Sequence, residues 1–290
     1  MPITKHLLIT GLVRDCDRHL KSEIQRIEKH ALQIFTTVEF FLIESDSTDN
    51  TVDTLETISV SKENFEFLCL GKLANTYPNR FDRLRFCRNQ YVKIIREVEK
   101  YQKCKFVLVV DFDIKNRSLD LSPVRNLLSN QEWQGLFANQ KGPYYDILAL
   151  RCEGWVEEDC FKSYRKLAQS MNREEAKEVA IWSKMKKIPI RSPIIEVESA
   201  FGGMGLYRRE CFELFDYGPI RDEFMEESEH VSLHKRITSN GGKLFIVPAM
   251  TNFSFNPHNL SAYRIFRTLD RISRPRIFKG IRNLVRQLLP

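Results

Sequence analysis

Four short apolar runs set the architecture: His6–Leu12, Val38–Ile43, Glu66–Leu70 and Lys105–Val110. Between them lie stretches of helical spacing at Leu20–Ile34, Thr51–Ser59 and Arg80–Tyr101, with a further one at Ser122–Leu128. Apolar runs of this length, bounded by polar residues, read as strands buried on both faces. Strand and helix in strict alternation specify an α/β fold, with a mostly parallel central sheet flanked by helices, Rossmann-like in plan. A further strand is expected at Lys243–Pro248, and a charged helical stretch between Glu157 and Lys187 reads as an insertion or lid. Linker composition is absent before residue 260, so one domain over 1–260 and a tail over 261–290 are expected.

Charge locates that tail. The chain of 290 residues carries 45 Lys+Arg against 38 Asp+Glu, a net charge of +7. From Arg264 onward there are eight basic residues and one acid, Asp270, which leaves 37 of each sign in the first 263 residues. A neutral body argues against a nucleic-acid binder, which needs a basic patch on the domain itself. In Pro275–Pro290, Ile277, Phe278, Ile281, Leu284, Val285 and Leu288 fall on one helical stripe, with Arg282 and Arg286 off it. Such a helix suits an anionic membrane surface, or packs its stripe on the domain or a second subunit. No run reaches the roughly 18 apolar residues of a membrane span, and Leu7–Val13 is too short for a signal segment. Seven widely spaced cysteines, with no C-x-x-C pair, suggest buried thiols in a reducing, cytoplasmic compartment.

Ligands of open α/β sheets bind beyond the carboxyl ends of the strands, and polar residues gather there. Phe106–Val110 runs into Asp111-Phe112-Asp113, whose carboxylates at i and i+2 share one side of an extended chain. Such a pair suits Mg²⁺ or Mn²⁺ bridging substrate phosphates, or else merely ends a strand. The run Phe40–Ile43 ends in Glu44-Ser45-Asp46-Ser47, where Glu44 or Asp46 is placed to accept hydrogen bonds from a ribose or base. Helix capping by Ser47 or Asp49 is the plainer alternative. In Asn79–Asn89, Arg80, Arg83 and Arg88 match a pyrophosphate by guanidinium geometry, or form a solvated basic face. Gly202, Gly203 and Gly205 allow close approach of backbone to a ligand, or a tight turn into a buried strand. Glu226–His234 reads as an acidic turn opening a helix, where Glu229 or a histidine would serve as a base. His258 sits in a turn after an aromatic alternation, as a third metal ligand or an exposed side chain.

The order of these motifs resembles the GT-A type of glycosyltransferase, over about residues 6 to 258, with Asp111-Phe112-Asp113 as its DxD motif. Arg88-Asn89, Tyr145–Arg151, Phe201–Tyr207 and Ser228-Glu229-His230 are similar to elements of capsule-associated mannosyltransferases. The resemblance implies transfer of a hexose or pentose from a nucleotide diphosphate sugar to a hydroxyl of a glycan or lipid-linked acceptor. It implies that Mn²⁺ or Mg²⁺ is held by Asp113 with Asp111 and His258. It implies donor binding by Gly11, Glu44, Ser45, Asp46, Arg83, Arg88, Asp111, Gly202 and Gly203. Glu229 is then the base of an inverting reaction, and Glu229 or Asp146 orients sugars in a retaining one. A basic element after the DxD, Ile114-Lys115-Asn116-Arg117, departs from the pattern. A cytoplasmic enzyme, or one peripheral at the cytoplasmic face of a membrane, follows from the resemblance and the tail. A phosphohydrolase of the haloacid-dehalogenase type is the runner-up. Its motif wants Thr or Val two residues after the second Asp, and Lys115 stands there. The third reading is a non-catalytic membrane-surface module.

Overall fold

The computed structural model describes residues 6–130, 132–218 and 227–253. His258 and the basic tail 261–290 therefore lie outside the described residues. The chain runs β1 (His6–Val13), α1 (Asp17–Ala31), β2 (Thr37–Glu44), α2 (Thr51–Ser61), β3 (Phe65–Cys69), α3 (Arg80–Glu97), α4 (Glu99–Gln102) and β4 (Phe106–Val110). It continues β5 (Gly135–Asn139), α5 (Cys160–Leu167), α6 (Arg173–Ala180), β6 (Ile195–Val197), β7 (Met204–Arg208), α7 (Glu210–Leu214), α8 (Glu229–Ser239) and β8 (Leu244–Thr251).

The eight strands form one mixed sheet in the order β3-β2-β1-β4-β7-β5-β8-β6. The first four strands pair in parallel, as does β5 with β8, while β7 and β6 run antiparallel to their neighbours. Side-chain alternation builds two cores, one on each face. Leu7 and Ile9 of β1 meet Leu20, Ile24 and Ile27 of α1 and Leu55 of α2. Leu8 turns the other way, into the core that holds Tyr91 and Ile95 of α3 and Leu233 and Ile237 of α8. Central β4 is buried on both sides, so each of its valines contributes about 1.5–3 kcal/mol.

Three expected elements differ. The helix expected over Arg80–Tyr101 is interrupted at Val98, whose extended backbone (φ −96°, ψ 116°) ends α3 and opens the short α4. Ser122–Leu128 tightens to a 3-10 turn over Ser122–Asn126, with Asp120 accepting the Ser122 N–H. The 157–187 stretch is two helices, α5 and α6, followed by a 3-10 turn at Trp182–Lys184. Antiparallel β7 matters most for function. Its register sets Met204 opposite Val110, so the Gly202-Gly203 turn lies directly beside the end of β4.

Candidate active site

The Asp111 N–H donates to Gly203 O at 2.9 Å, joining the two strand ends. Asp111 then turns to a guanidinium. Arg88 Nη2 lies 3.6 Å from Asp111 Oδ1, and Arg88 Nε donates to Glu229 Oε1 at 2.7 Å. Helix α3 brings Arg88 to this point from 141 residues before Glu229. Arg88 and Glu229 are 4% and 3% exposed. The guanidinium also lies over the rings of Phe201 and Tyr217, at 5.4 and 5.7 Å. Its Nη1 has no partner among the described residues. Burial opposes the Arg88 charge, and Tyr91, Glu229, Tyr217 and Asp111 around it hold it ionised.

Burial, and after it the like charge of Asp113, push the Asp111 carboxyl up to about 7. Its side chain keeps 27% exposure and Asp113 is exposed, so both open outward from the β4 end. Helix α1 grips the chain around Asp113 from behind, at two positions one turn apart. A ring nitrogen of His19 donates to Phe112 O at 2.9 Å, and Glu23 accepts the Asn116 N–H at 2.7 Å. Among the described residues no third histidine, cysteine or carboxylate completes a metal cluster. Two carboxylates facing outward nevertheless fit a Mg²⁺ or Mn²⁺ ion of the kind that shares its shell with waters and substrate phosphates. A bound cation would relieve both the burial and the Asp113 charge that raise the Asp111 carboxyl.

Asp146 lies on the far side of the glycine turn. Its Oδ2 accepts the Gly202 N–H at 2.9 Å and its Oδ1 the Ala149 N–H at 3.4 Å. Burial raises its carboxyl to about 6 against those two donors. Gly202 and Gly203 adopt φ of +67° and +82°. A Cβ at Gly202 would stand 2.5 Å from Ala138 O, so the turn demands glycine for conformation and for space. The loop that carries Asp146 is fixed by a chain of buried polar groups. Ser199 Oγ donates to Ala149 O at 2.6 Å, so His234 Nδ1–H must donate to Ser199 Oγ at 2.8 Å. His234 Nε2 then accepts from the Tyr207 hydroxyl at 2.9 Å. Burial holds this imidazole neutral, down to about 3.

The expected nucleoside turn forms a neighbouring cluster. Glu44 and Asp46 are buried, and protein groups hydrogen-bond both oxygens of Glu44 and one of Asp46. Ser47 N–H donates to Glu44 Oε1 at 3.0 Å, and the Cys69 thiol donates to Oε2 at 2.8 Å. Asp46 stands at φ +61°, accepts the Ala74 N–H at 2.9 Å and faces Arg83 Nε at 3.5 Å. Ser45 Oγ lies 3.6 Å from Cys87 Sγ, so α3 ties this cluster to the first through Arg83, Cys87 and Arg88. Gly11 is a packing position. A Cβ there would fall 2.0 Å from Val110 O and 3.0 Å from the Phe112 ring. Glu229, for which the sequence offered either a base or a solvated acidic turn, is buried and ion-paired with Arg88, so the turn is not solvated there.

Three further groups have settings that the sequence did not show. Asp15, at φ +48° beyond β1, accepts from the Thr48 backbone at 2.7 Å and braces the turn that follows β2. Its signal was present, as the acid that ends the first apolar run. Arg151 donates to Glu227 at 2.8 Å and lies 3.7 Å from Asp159, joining the α5 N-cap to the approach to α8. His230 stacks on Phe201 at 3.8 Å between centroids; its Nε2 lies 3.8 Å from Glu229 Oε1, and neither ring nitrogen has a hydrogen-bond partner among the described residues. Burial and the Arg88 charge hold it neutral.

No family model and no curated protein matches the chain. Among solved structures it is similar to the mannosyltransferase PcManGT from Pyrobaculum calidifontis in complex with GDP-Man and Mn²⁺. That likeness has 13% identity and a TM-score of 0.48, over 97% of this chain and 69% of the other. It is similar also to residues 1–349 of S. aureus TarS, at 12% identity and a TM-score of 0.45, over 91% of this chain and 65% of that one. The chain thus spans just under two thirds of the TarS structure. Among the described residues no helix is long and apolar enough to cross a membrane.

Proposed function

We propose that this chain is a GT-A type, metal-dependent glycosyltransferase that moves a sugar from a nucleotide diphosphate sugar to a hydroxyl of a glycan or lipid-linked acceptor. The observation that carries the reading is the junction at the end of β4. There an outward pair of carboxylates, Asp111 and Asp113, meets a buried guanidinium and a glycine turn that holds a third carboxylate. Asp113 with Asp111 would hold Mn²⁺ or Mg²⁺, with His258 as a further ligand. When bound, the ion would supply positive charge facing the departing diphosphate.

The chain's own residues divide the remaining work. Arg88 holds Asp111 in place and adds a fixed positive charge behind it, and Glu229 keeps Arg88 oriented. Arg83 and the 44–47 turn, held together by the Arg83–Asp46 pair, would meet the nucleoside. Asp146 is part-exposed, and its carboxyl, raised to about 6, suits taking a proton from an acceptor hydroxyl near neutral pH. The tail 261–290 would hold the enzyme peripherally at the cytoplasmic face of a membrane. Salt-sensitive liposome binding by the full chain, and none by a chain ending at Ser261, is expected.

The test of the function is a thermal-shift and turnover panel of nucleotide sugars with Mn²⁺. Stabilisation by at least one nucleoside diphosphate only when Mn²⁺ is present supports the reading. Cleavage of phosphomonoesters without binding of any nucleotide sugar would replace it with the phosphohydrolase.

A further inference from the structure

The neutrality of the body hides a separation of charge. Residues 161–194 carry nine basic residues against three acids, a net +6, and the rest of the first 263 residues has 28 basic against 34 acidic. About half of the described basic side chains in the rest of the fold are held in ion pairs, as Arg88, Arg151 and Arg209 are. Those of the insertion are largely not. Lys162, Lys166, Lys184, Lys186, Lys187 and Arg191 have no ion-pair partner among the described residues.

Their position is specific. The chain at Lys186-Lys187 lies along the strand-like approach to Asp146. Lys186 O accepts the Tyr144 N–H at 2.9 Å, and Lys187 bridges to Pro143. Tyr145 follows, its hydroxyl 3.1 Å from where a Cβ on Gly203 would stand, and then comes Asp146. Lys186 and Lys187 are exposed, with the Lys186 ammonium 5.8 Å from the centroid of the Trp155 ring. Of the seven large apolar side chains exposed among the described residues, four lie in this insertion: Phe161, Val179, Ile190 and Ile194. A groove of about 420 Å³, lined by Trp155, Leu167, Val179, Lys166 and Lys184 among others, runs between α5, α6 and the 154–158 turn.

An anionic molecule approaching Asp111, Asp113 and Asp146 is repelled by them. Fixed cations within a Debye length, roughly 8 Å at physiological salt, offset that repulsion and steer the approach. We propose that the acceptor is anionic, carrying a phosphate group that Lys186 and Lys187 receive beside Asp146. The inference rests on the glycosyltransferase reading and names the substrate class of that site. A sugar on a lipid phosphate and a free sugar phosphate share this chemistry.

Three acceptors with the same sugar separate the cases: a neutral octyl glycoside, the soluble sugar phosphate and the sugar on a farnesyl phosphate. Each is offered to the full chain and to Lys186→Glu/Lys187→Glu, with Lys29→Glu, on the exposed surface of α1, as control. Release of nucleoside diphosphate without acceptor is the parallel readout. The wild type should prefer a phosphate-bearing acceptor by at least about tenfold in kcat/KM, and the preference should shrink between about 50 and 300 mM NaCl. The double variant should lose that preference through KM with donor hydrolysis unchanged, and the control should keep it. Preference for the farnesyl phosphate over the soluble phosphate assigns a lipid source, and equal use assigns a free one. Intact donor hydrolysis with equal use of the neutral glycoside, or an unaltered double variant, would overturn the inference alone. Absence of donor turnover in the wild type would overturn the reading beneath it.

Discussion

Replacing Glu229 by glutamine separates two roles for this residue, a base and a counter-ion. Arg88 Nε and Glu229 Oε1 are 2.7 Å apart with both side chains about 95% buried, and the next carboxylate, Asp111, is 3.6 Å away and 27% exposed. Removing one partner of such a pair strands a buried charge and costs about 3–5 kcal/mol. The glutamine oxygen still accepts the Nε–H and Asp111 remains, so the low end, about 3 kcal/mol, applies to Glu229→Gln. For a chain of this size each kcal/mol moves Tm by about 2–4 °C, so scanning calorimetry should find a drop of about 6–12 °C. The double variant Arg88→Met/Glu229→Leu, which removes both charges, should regain most of that stability and still fail to turn over donor. A Glu229→Gln protein with wild-type Tm and a large loss in kcat alone would refute the reasoning, since Glu229 would then be free to act as a base.

Gly202→Ala places a side chain at φ +67° with its Cβ 2.5 Å from Ala138 O, so urea unfolding should show a loss of about 2–3 kcal/mol. Asp113→Asn alters an exposed side chain, so Tm should stay within about 1 °C while Mn²⁺ affinity, read by electron paramagnetic resonance, falls about tenfold or more. Acid should weaken the fold through His234. Its pKa is near 3 when folded and 6.5 when unfolded, so the unfolded chain binds the extra proton in that window. The stability contributed by the neutral ring is fully present above pH 6.5 and is lost as pH falls toward 3. Between pH 7 and 4.5 wild type should lose about 2–3 kcal/mol relative to His234→Gln in urea unfolding, a comparison in which the opposing contributions of the raised Asp111 and Asp146 carboxyls cancel.

The first half of the sheet was legible because β1, β2 and β4 are buried on both faces, and continuous apolar runs announce such strands. Strand β5, Gly-Leu-Phe-Ala-Asn, was not legible, because a five-residue run opening on glycine and closing on asparagine has no clear period. Three-residue β6 carries less signal still. Asp111, Asp113, Gly202 and Gly203 were readable as a strand end and a turn. That antiparallel β7 sets them side by side is a matter of topology, which no local pattern carries. The pairing of Arg88 with Glu229 spans 141 residues, and the true setting of Glu229 depends on it. A count of charges over the body gave neutrality, and only the fold shows that Lys187, in its positive part, bridges to Pro143, three residues before Asp146.

The central claim is metal-dependent sugar transfer at the β4 end, and release of nucleoside diphosphate from a panel of nucleotide sugars measures it directly. Wild-type protein should release product from at least one donor with Mn²⁺, and lose release with chelator. Asp113→Asn, folded to the same Tm, should show a loss of about 100-fold or more. Equal turnover by wild type and Asp113→Asn, or turnover indifferent to chelator, would contradict it.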